Sequence, residues 1–177
     1  MTKLTSKHST PTRWIMMGVS GCGKSEIGIR LAAALAVPFI EGDMFHPAAN
    51  VAKMSVGIAL NDADRSEWLY LLQAEIRGAR QCDAGLVLSC SALKRRYRDV
   101  LRAADPALCF AHLEGARDLI TSRMHARVGH YMPPSLLESQ LHDLEPLQDD
   151  EAGVRLDIRS EPAELIAEIL RSPCMAR

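Results

Sequence analysis

The chain has 177 residues, enough for one domain with its own core, and its 47% hydrophobic and 24% charged residues are typical of globular proteins. A net charge of −1 and an aromatic content of 5% argue against nucleic acid or an anionic membrane as the main partner, because such partners select basic surfaces and, for bases, stacking side chains. No apolar run approaches the ~20 residues that span a bilayer.

The cysteines and the N-terminal segment indicate the compartment. Five cysteines are scattered along the chain without a C-x-x-C pair: Cys22, Cys82, Cys90, Cys109 and Cys174. Their odd number and spacing predict reduced thiols in a cytoplasmic protein rather than a disulfide framework or a zinc site. Residues 1–12 are polar and basic without an apolar segment, so we interpret them as a flexible leader and not as a signal peptide.

Short apolar runs alternate with helical patterns over residues 13–172, which we interpret as one domain. The pattern predicts five strands, at 14–17, 38–40, 85–90, 108–113 and 154–158. It predicts helices at 24–36, 62–79, 92–102, 116–127 and 162–171. Apolar strands separated by helices require a parallel sheet covered on both faces, so we predict a three-layer α/β/α fold. Ligands of such sheets bind beyond the carboxyl ends of the strands, and the segments that follow the strands are therefore the candidate site.

The first of these segments, residues 18–25, reads G-V-S-G-C-G-K-S and matches the phosphate-binding pattern G-x-x-x-x-G-K-[ST] in full. A predicted strand precedes it and a predicted helix follows, which a chance glycine turn would not require. Its glycines allow backbone N–H groups to surround a phosphate, Lys24 supplies a cation to the β- and γ-phosphates, and Ser25 offers a hydroxyl to Mg²⁺. We expect ATP contacts from the whole loop: Gly18, Val19, Ser20, Gly21, Cys22, Gly23, Lys24 and Ser25.

The loop predicts a P-loop NTPase but not its reaction, because GTPases, ATPases and small-molecule kinases share it. The sequence has no Asn-Lys-x-Asp or Thr-Lys-x-Asp after a later strand, which disfavours a guanine-specific switch protein. The third predicted strand ends in Leu88-Ser89-Cys90, without the aspartate with which many P-loop ATPases hold magnesium. A magnesium carboxylate must therefore come from another segment.

Glu41 and Asp43 follow the second predicted strand, two residues apart, so both side chains project to one face, towards the phosphates. One carboxylate can hold a magnesium-bound water while the other accepts the proton of a substrate hydroxyl. The alternative is an ordinary acidic loop at the end of a strand, and the spacing alone does not decide between the two.

Several segments that follow the strands carry the motifs of a known family. They are 17–25, 42–47 (G-D-M-F-H-P), 50–54, 60–65 (L-N-D-A-D-R) with Trp68, and 90–94 (C-S-A-L-K) with 97–99 (Y-R-D). Together they resemble the gluconate kinases, small P-loop enzymes of the nucleoside-monophosphate-kinase-like group that are more distantly related to shikimate kinases. The resemblance covers residues 14–158 and depends on motifs that other P-loop kinases do not share as a set.

This resemblance implies phosphoryl transfer from ATP, with Mg²⁺, to the 6-hydroxyl of D-gluconate, by a homodimeric enzyme. It favours Asp43 as the general base and Glu41 as the carboxylate that holds magnesium through water, although family members often carry aspartate where Glu41 stands. Two alternatives remain open. One is a kinase of another small hydroxy acid such as shikimate, and the other is a non-metabolic switch protein that binds ATP and hydrolyses it slowly.

Gluconate is an anionic open-chain polyol, so its pocket needs a cation for the carboxylate and donors and acceptors for the hydroxyls. The residues of the matching segments that supply such groups are Asp43, His46, Lys53, Asn61, Arg65, Lys94 and Arg98. Structural alternatives exist, since His46 can cap the next helix and the basic run 94–102 can be a solvated helix face. Within that run Lys94 and Arg98 share one face of a helix, and we therefore select these two.

Arg123 and Arg127 lie four residues apart near the end of a predicted helix, and Gly129 follows as a candidate hinge. Kinases of the resembled group close an arginine-bearing lid over ATP, which excludes water from the transferred phosphoryl group. The resemblance therefore implies a mobile lid at about 123–142, ATP contacts from both arginines, and a catalytic set of Lys24, Asp43 and Arg127. The alternative is a solvated helix end whose cations stabilise the helix C-terminus.

Overall fold

A parallel sheet of five strands runs through the residues that the computed structural model describes, 12–126 and 134–176. The strands are β1 (Arg13–Met17), β2 (Phe39–Glu41), β3 (Leu86–Ser89), β4 (Cys109–Glu114) and β5 (Gly153–Asp157). Their order in the sheet is β2-β3-β1-β4-β5, and every neighbouring pair is parallel. The predicted fold class is confirmed, and each strand begins and ends within one residue of its expected position.

Helices connect the strands and cover the sheet. The α-helices of the described ranges are α1 (Lys24–Leu35), α2 (Ala48–Ser55), α3 (Asp62–Gln81), α4 (Arg95–Arg102), α5 (Arg117–His125), α6 (Pro134–Asp143) and α7 (Pro162–Arg171), and short 3-10 helices lie at Gly42–Phe45 and Pro173–Ala176. α1 packs against α7, whereas α3 packs against α4. In the part of the chain that is described, no helix is both long and apolar enough to cross a membrane.

Three helices differ from the prediction, for local reasons. α2 and α6 have no predicted counterpart, and both start at prolines: Pro47 precedes α2 and Pro134 begins α6. Proline fits the first helical turn, because the N–H groups there form no hydrogen bond within the helix and proline lacks this group. A proline in the sequence can therefore mark the start of a helix as well as a turn. α4 begins at Arg95 rather than at residue 92 because Ala92 has φ 44°, a left-handed conformation that excludes the α-helix there.

The hydrophobic core is centred on β1, which lies in the middle of the sheet and has all five residues buried. Ile15 is aligned with Leu88 of β3 on one side and Phe110 of β4 on the other, and all three are 0% exposed. Burial of a side chain of this size stabilises the fold by roughly 1.5–3 kcal/mol. The core therefore fixes the carboxyl ends of β1 and β3, where the phosphate loop and the segment 90–94 begin.

Cys109 and Cys174 form a disulfide between the start of β4 and the C-terminal 3-10 helix, with their Cα atoms 6.3 Å apart. The expectation that all cysteines are reduced is therefore wrong for this pair. The two cysteines are 65 residues apart and meet only because the C-terminal segment returns to β4, which their spacing does not reveal. Of the others, Cys22 and Cys90 are buried and Cys82 is exposed.

Candidate active site

The phosphate loop joins β1 to α1 and turns through glycines in the left-handed region. The φ angle is 136° at Gly18, 84° at Gly21 and 100° at Gly23, values that other residues rarely adopt. At Gly18 a Cβ atom would also lie 2.8 Å from the carbonyl oxygen of Leu113. The glycines of the motif are therefore required by the backbone shape of the loop.

Lys24 and Ser25 are the first two residues of α1, where the loop ends. The Nζ atom of Lys24 donates to the carbonyl of Val19 at 3.0 Å, so its stem lies along the loop. Ser25 is half-buried. The first N–H groups of a helix have no partner within it and give its start a partial positive charge. An ammonium group beside such a helix start favours a bound phosphate.

A cavity of about 340 Å³, here called the acceptor cavity, opens beside the loop. Its lining includes residues that follow β1, β2 and β3, which agrees with binding beyond the carboxyl ends of parallel strands. The predicted site residues that line it are Ser20, Lys24, Asp43, His46 and Arg65. The structure thus brings together residues from three separate motifs around one space.

His46 is held in the wall of the acceptor cavity by a stack on Trp68, with ring centroids 4.2 Å apart and an interplanar angle of 18°. Burial lowers the pKa of His46 and outweighs the opposing effect of Asp43, whose Oδ1 lies 4.0 Å from Nε2. Arg65 lowers the pKa further. The imidazole is therefore neutral at pH 7 and offers one donor and one acceptor rather than a charge.

Asp43 and Arg65 have opposite environments in the same cavity. The Asp43 side chain is 68% exposed, so its carboxylate is open to a ligand. Arg65 is buried, and its Nε donates to the carbonyl of Leu60 at 3.4 Å. The turn that carries Asp43 is fixed by Trp68, whose indole N–H donates to the carbonyl of Gly42 at 2.8 Å.

Glu41 ends β2 and is fixed by Ser89 at the end of the neighbouring β3. The hydroxyl of Ser89 donates to Glu41 Oε1 and accepts from the backbone N–H of Gly42 at 3.1 Å. Carboxylate and hydroxyl oxygens are ligands that suit Mg²⁺ with retained waters, and Glu41 and Ser25 each offer one of these groups. Among residues 12–126 and 134–176 there is no cluster of three His, Cys, Asp or Glu side chains that could hold a metal ion.

Arg98 was predicted to bind substrate, but the structure places it in a buried ion pair. It is 0% exposed, and its Nε and Nη2 each donate to a carboxylate oxygen of Glu151 at 2.7 Å. Nη1 donates to the carbonyls of Ala92 and Glu145. Burial alone would raise the pKa of Glu151, but hydrogen bonds from Arg98 and Arg102 outweigh it and lower that pKa to about 2. Arg98 is a structural ion pair, and helical spacing could not reveal a partner 53 residues away.

Three further predicted substrate residues lie outside the lining of the acceptor cavity. Lys94 pairs with Asp62 at 3.1 Å and with Asp143 at 3.3 Å. Lys53 pairs with Asp64 at 2.5 Å. Asn61 caps α3, since its side chain accepts from the N–H of Asp64 at 2.9 Å. These groups hold α2, α3, α4 and α6 together around the cavity.

A second cavity, of about 270 Å³ and here called the nucleotide cavity, adjoins other residues of the phosphate loop. Gly21, Cys22 and Gly23 line it, together with Ile158 and Pro162 near the end of the chain. Arg123 also lines it, and its Nη2 donates to the carbonyl of Ile158 at 2.7 Å. Arg127 and Gly129 lie outside the described residues.

The acceptor cavity also contains residues that were not predicted: Ser91, Leu136, Ser139 and Gln140. Ser91 belongs to the C-S-A-L-K segment, and its carbonyl accepts from Gly18 N–H at 3.2 Å, so the motif could have indicated it. The others lie on α6, whose sequence carries no phosphate-loop signal. Gln140 contacts the loop from 120 residues away, a separation that no local pattern reports.

The chain matches a family model described as shikimate kinase over residues 20–172. It is 44% identical over 161 residues to the gluconokinase of Gluconobacter oxydans, covering 91% of this chain and 90% of that protein. It is 45% identical over 154 residues to the thermosensitive gluconokinase of Escherichia coli, with coverage of 86% and 82%. The crystal structure of a gluconokinase from Sinorhizobium meliloti matches with a TM-score of 0.84 at 43% identity, over 95% of this chain and 93% of that one.

The sheet order and the phosphate loop are those of a P-loop enzyme, and the relatives of this chain are kinases. The matched model and these relatives extend over most of the chain. The chain therefore belongs to the shikimate kinase family of P-loop enzymes, in its gluconokinase branch.

Proposed function

We propose that the protein transfers the terminal phosphoryl group of ATP to the 6-hydroxyl of D-gluconate, giving 6-phospho-D-gluconate and ADP. The observation that carries this proposal is the acceptor cavity, in which Lys24 of the phosphate loop, the open carboxylate of Asp43 and the buried guanidinium of Arg65 line one space. The gluconokinases at 44% and 45% identity support the same acceptor.

The acceptor cavity offers what a polyhydroxy acid needs. Arg65 is the best partner for the carboxylate of gluconate, because a guanidinium binds a carboxylate in two parallel hydrogen bonds and a buried pair is weakly screened. The neutral His46 and the hydroxyl groups of Ser91 and Ser139 supply donors and acceptors for the polyol. With its carboxylate at Arg65, an extended acceptor presents its far hydroxyl towards Asp43 and Lys24.

The proposed step is an in-line displacement. Asp43 accepts the proton of the 6-hydroxyl as that oxygen bonds to the terminal phosphorus, and the bond from this phosphorus to the bridging oxygen of ADP breaks. Lys24 stabilises the charge that develops on the phosphoryl oxygens. A magnesium ion, when bound, neutralises charge on the same phosphates, and Ser25 and, through water, Glu41 are the residues we propose to hold it.

The nucleotide cavity is the proposed site of the adenosine part of ATP. It is lined by residues of the loop that do not line the acceptor cavity, and Arg123 presents a planar cation that can stack on a base. Closure of a lid at about 123–142, with Arg127 on the transferred phosphoryl group, remains a prediction. We also propose a cytoplasmic homodimer that needs neither nucleic acid nor a membrane as a partner.

A coupled assay of ADP release tests the proposed function. Gluconate, shikimate, glycerate and nucleoside monophosphates are compared as acceptors, each against the basal ATPase rate. We expect gluconate to stimulate release by at least about a hundredfold, since a positioned acceptor replaces water in the site. Release that gluconate does not stimulate would overturn the proposal. Release indifferent to every acceptor would favour the switch protein instead.

The role of Asp43 is tested by Asp43→Asn, which keeps the size of the side chain but removes the base. We expect kcat to fall by roughly 10²–10⁴, the usual contribution of general base catalysis, with little change in ATP affinity. A variant that loses ATP affinity but retains kcat would make Asp43 a metal ligand rather than the base.

A further inference from the structure

The side chain of Gln140, which belongs to α6, contacts the phosphate loop. Its Oε1 accepts a hydrogen bond from the backbone N–H of Ser20 at 2.7 Å. Backbone N–H groups of such loops are the groups that bind phosphate oxygens. The side-chain carbonyl of Gln140 therefore lies where an oxygen of the nucleotide is expected, and it does so from the wall of the acceptor cavity.

The two cavities indicate which phosphate this N–H meets. Ser20 and Lys24 line the acceptor cavity, whereas Gly21, Cys22 and Gly23 line the nucleotide cavity. The terminal phosphoryl group leaves the nucleotide in the direction of the acceptor, so it must lie on the Ser20 side of the loop. The N–H of Ser20 thus faces the phosphate that ATP carries and ADP lacks.

α6 holds Gln140 in this position through contacts at its C-terminal end. Asp143, one turn after Gln140, pairs with Lys94 at 3.3 Å, and the N–H of Glu145 donates to the carbonyl of Leu93 at 2.8 Å. Leu137 of the same helix is buried in the core. The contact with the loop is therefore made by a side chain on an anchored helix.

On the basis of the proposed function, we propose that Gln140 is a placeholder for the terminal phosphoryl group. Its carbonyl binds the Ser20 N–H in the nucleotide-free enzyme and is displaced by ATP but not by ADP. Gln140 is in this view a positioning residue that couples α6, a wall of the acceptor cavity, to the presence of a transferable phosphoryl group.

A neutral amide suits such an exchange. Its hydrogen bond to a backbone N–H is about half as strong as the bond that an anionic phosphate oxygen forms with the same donor, so the phosphate replaces it. A carboxylate at this position would instead compete on equal terms for the N–H, and it would repel the incoming phosphate. Replacement of Gln140 by glutamate should therefore weaken the binding of ATP more than the binding of ADP.

The experiment measures dissociation constants by calorimetry, without any acceptor, for ADP and for a non-hydrolysable ATP analogue. It compares the wild type with Gln140→Glu, Gln140→Ala and the control Gln81→Glu, which makes the same chemical change at the exposed end of α3. We expect Gln140→Glu to raise the ratio of the analogue constant to the ADP constant by at least about fivefold, because a like charge then opposes the terminal phosphate. The control should leave this ratio within about twofold, as surface charges do.

Gln140→Ala should leave the ratio at or below the wild-type value, because it removes the competing carbonyl. A smaller rise than about fivefold in Gln140→Glu, a loss of ADP binding in that variant while its melting temperature is retained, or a raised ratio in Gln140→Ala would each overturn the proposal. Since no acceptor is present, a failure of gluconate as substrate would not alter these outcomes.

Discussion

Two basic regions follow neighbouring strands of the sheet, but they differ in what their cations contact. Lys24, after β1, has its ammonium group on a backbone carbonyl and lines the acceptor cavity. The basic segment, residues 94–102, follows β3, and its cations are already paired with acids: Lys94 with Asp62 and Asp143, Arg95 with Asp150, Arg96 with Asp62, Arg98 with Glu151, and Arg102 with Asp99 and Glu151.

The difference shows that the local density of positive charge does not identify a site for an anion. A cation is available to a ligand when the fold leaves its charge unpaired, and the acids that decide this are 32 to 55 residues away for Lys94, Arg95 and Arg98. The predictions below change one cation or its support at a time, in order of decreasing effect.

Lys24→Ala should produce the largest loss of activity. We expect kcat to fall by about 10³-fold or more, because the cation that stabilises the transferred phosphoryl group is removed from a preorganised site. Thermal unfolding should be nearly unchanged, since the ammonium group forms only the hydrogen bond to Val19 among the contacts described. Wild-type turnover in the ADP-release assay would contradict the assignment of the loop.

Arg98→Ala should act on stability instead of catalysis. Removal of Arg98 leaves the buried Glu151 with Arg102 as its ion-pair partner and without its two strongest donors, which costs about 3 kcal/mol of unfolding free energy. The pKa of Glu151 is lowered from 4.5 to about 2, so its stabilising effect is present above pH 4.5 and is lost as the pH falls towards 2. Denaturant titration between these pH values should show that dependence in the wild type and a weaker one in the variant, where Arg102 still pairs with Glu151.

The kinetic measurement for Arg98→Ala distinguishes a structural pair from a substrate contact. At a temperature where the variant is folded, its KM for gluconate should equal that of the wild type. The double change Arg98→Met with Glu151→Leu should recover much of the lost stability, because apolar residues can replace a buried ion pair. A raised KM for gluconate with unchanged stability would show instead that Arg98 contacts the substrate.

Arg65→Ala and Lys94→Ala form a matched pair of lost cations. Arg65 lines the acceptor cavity and is buried, so its removal should raise the KM for gluconate by about tenfold to a hundredfold, the effect of losing a charged hydrogen-bonding partner. Lys94 is paired with Asp62 and Asp143, and its removal should change that KM by less than about threefold. Equal changes of KM in the two variants would mean that ion pairing does not decide which cations are available to the substrate.

The sequence was sufficient to predict the strands, the phosphate loop and the placement of Asp43, His46 and Arg65 beside one another, because these depend on local periodicity and on short motifs at strand ends. It was insufficient for Arg98, Lys94 and Gln140, whose roles depend on partners brought together by tertiary contacts. The prediction of reduced cysteines was wrong for Cys109 and Cys174 for the same reason.

Ser89→Ala should have the smallest effect. It tests how Glu41 could hold magnesium through water at a position where the resembled family often has aspartate. Ser89 donates to Glu41 and accepts from Gly42 N–H, so its hydroxyl fixes the longer side chain beside β3. Without it, Glu41 is free to move, and we expect the apparent affinity for Mg²⁺ to fall by about three- to tenfold, less than the full value of a hydrogen bond to a charged group because Ser89 acts on the metal only through Glu41.

The kcat of Ser89→Ala at saturating Mg²⁺ should stay within about twofold of the wild-type value, since the hydroxyl touches no reacting atom. Calorimetric titration of the ADP complex with Mg²⁺ measures the same affinity without turnover. In the double variant with Glu41→Ala, the Ser89 change should have no further effect, because its partner is gone. An unchanged Mg²⁺ dependence in Ser89→Ala and Glu41→Ala alike would show that Glu41 does not hold the metal, and the cation at the phosphates would then depend on Ser25 and water alone.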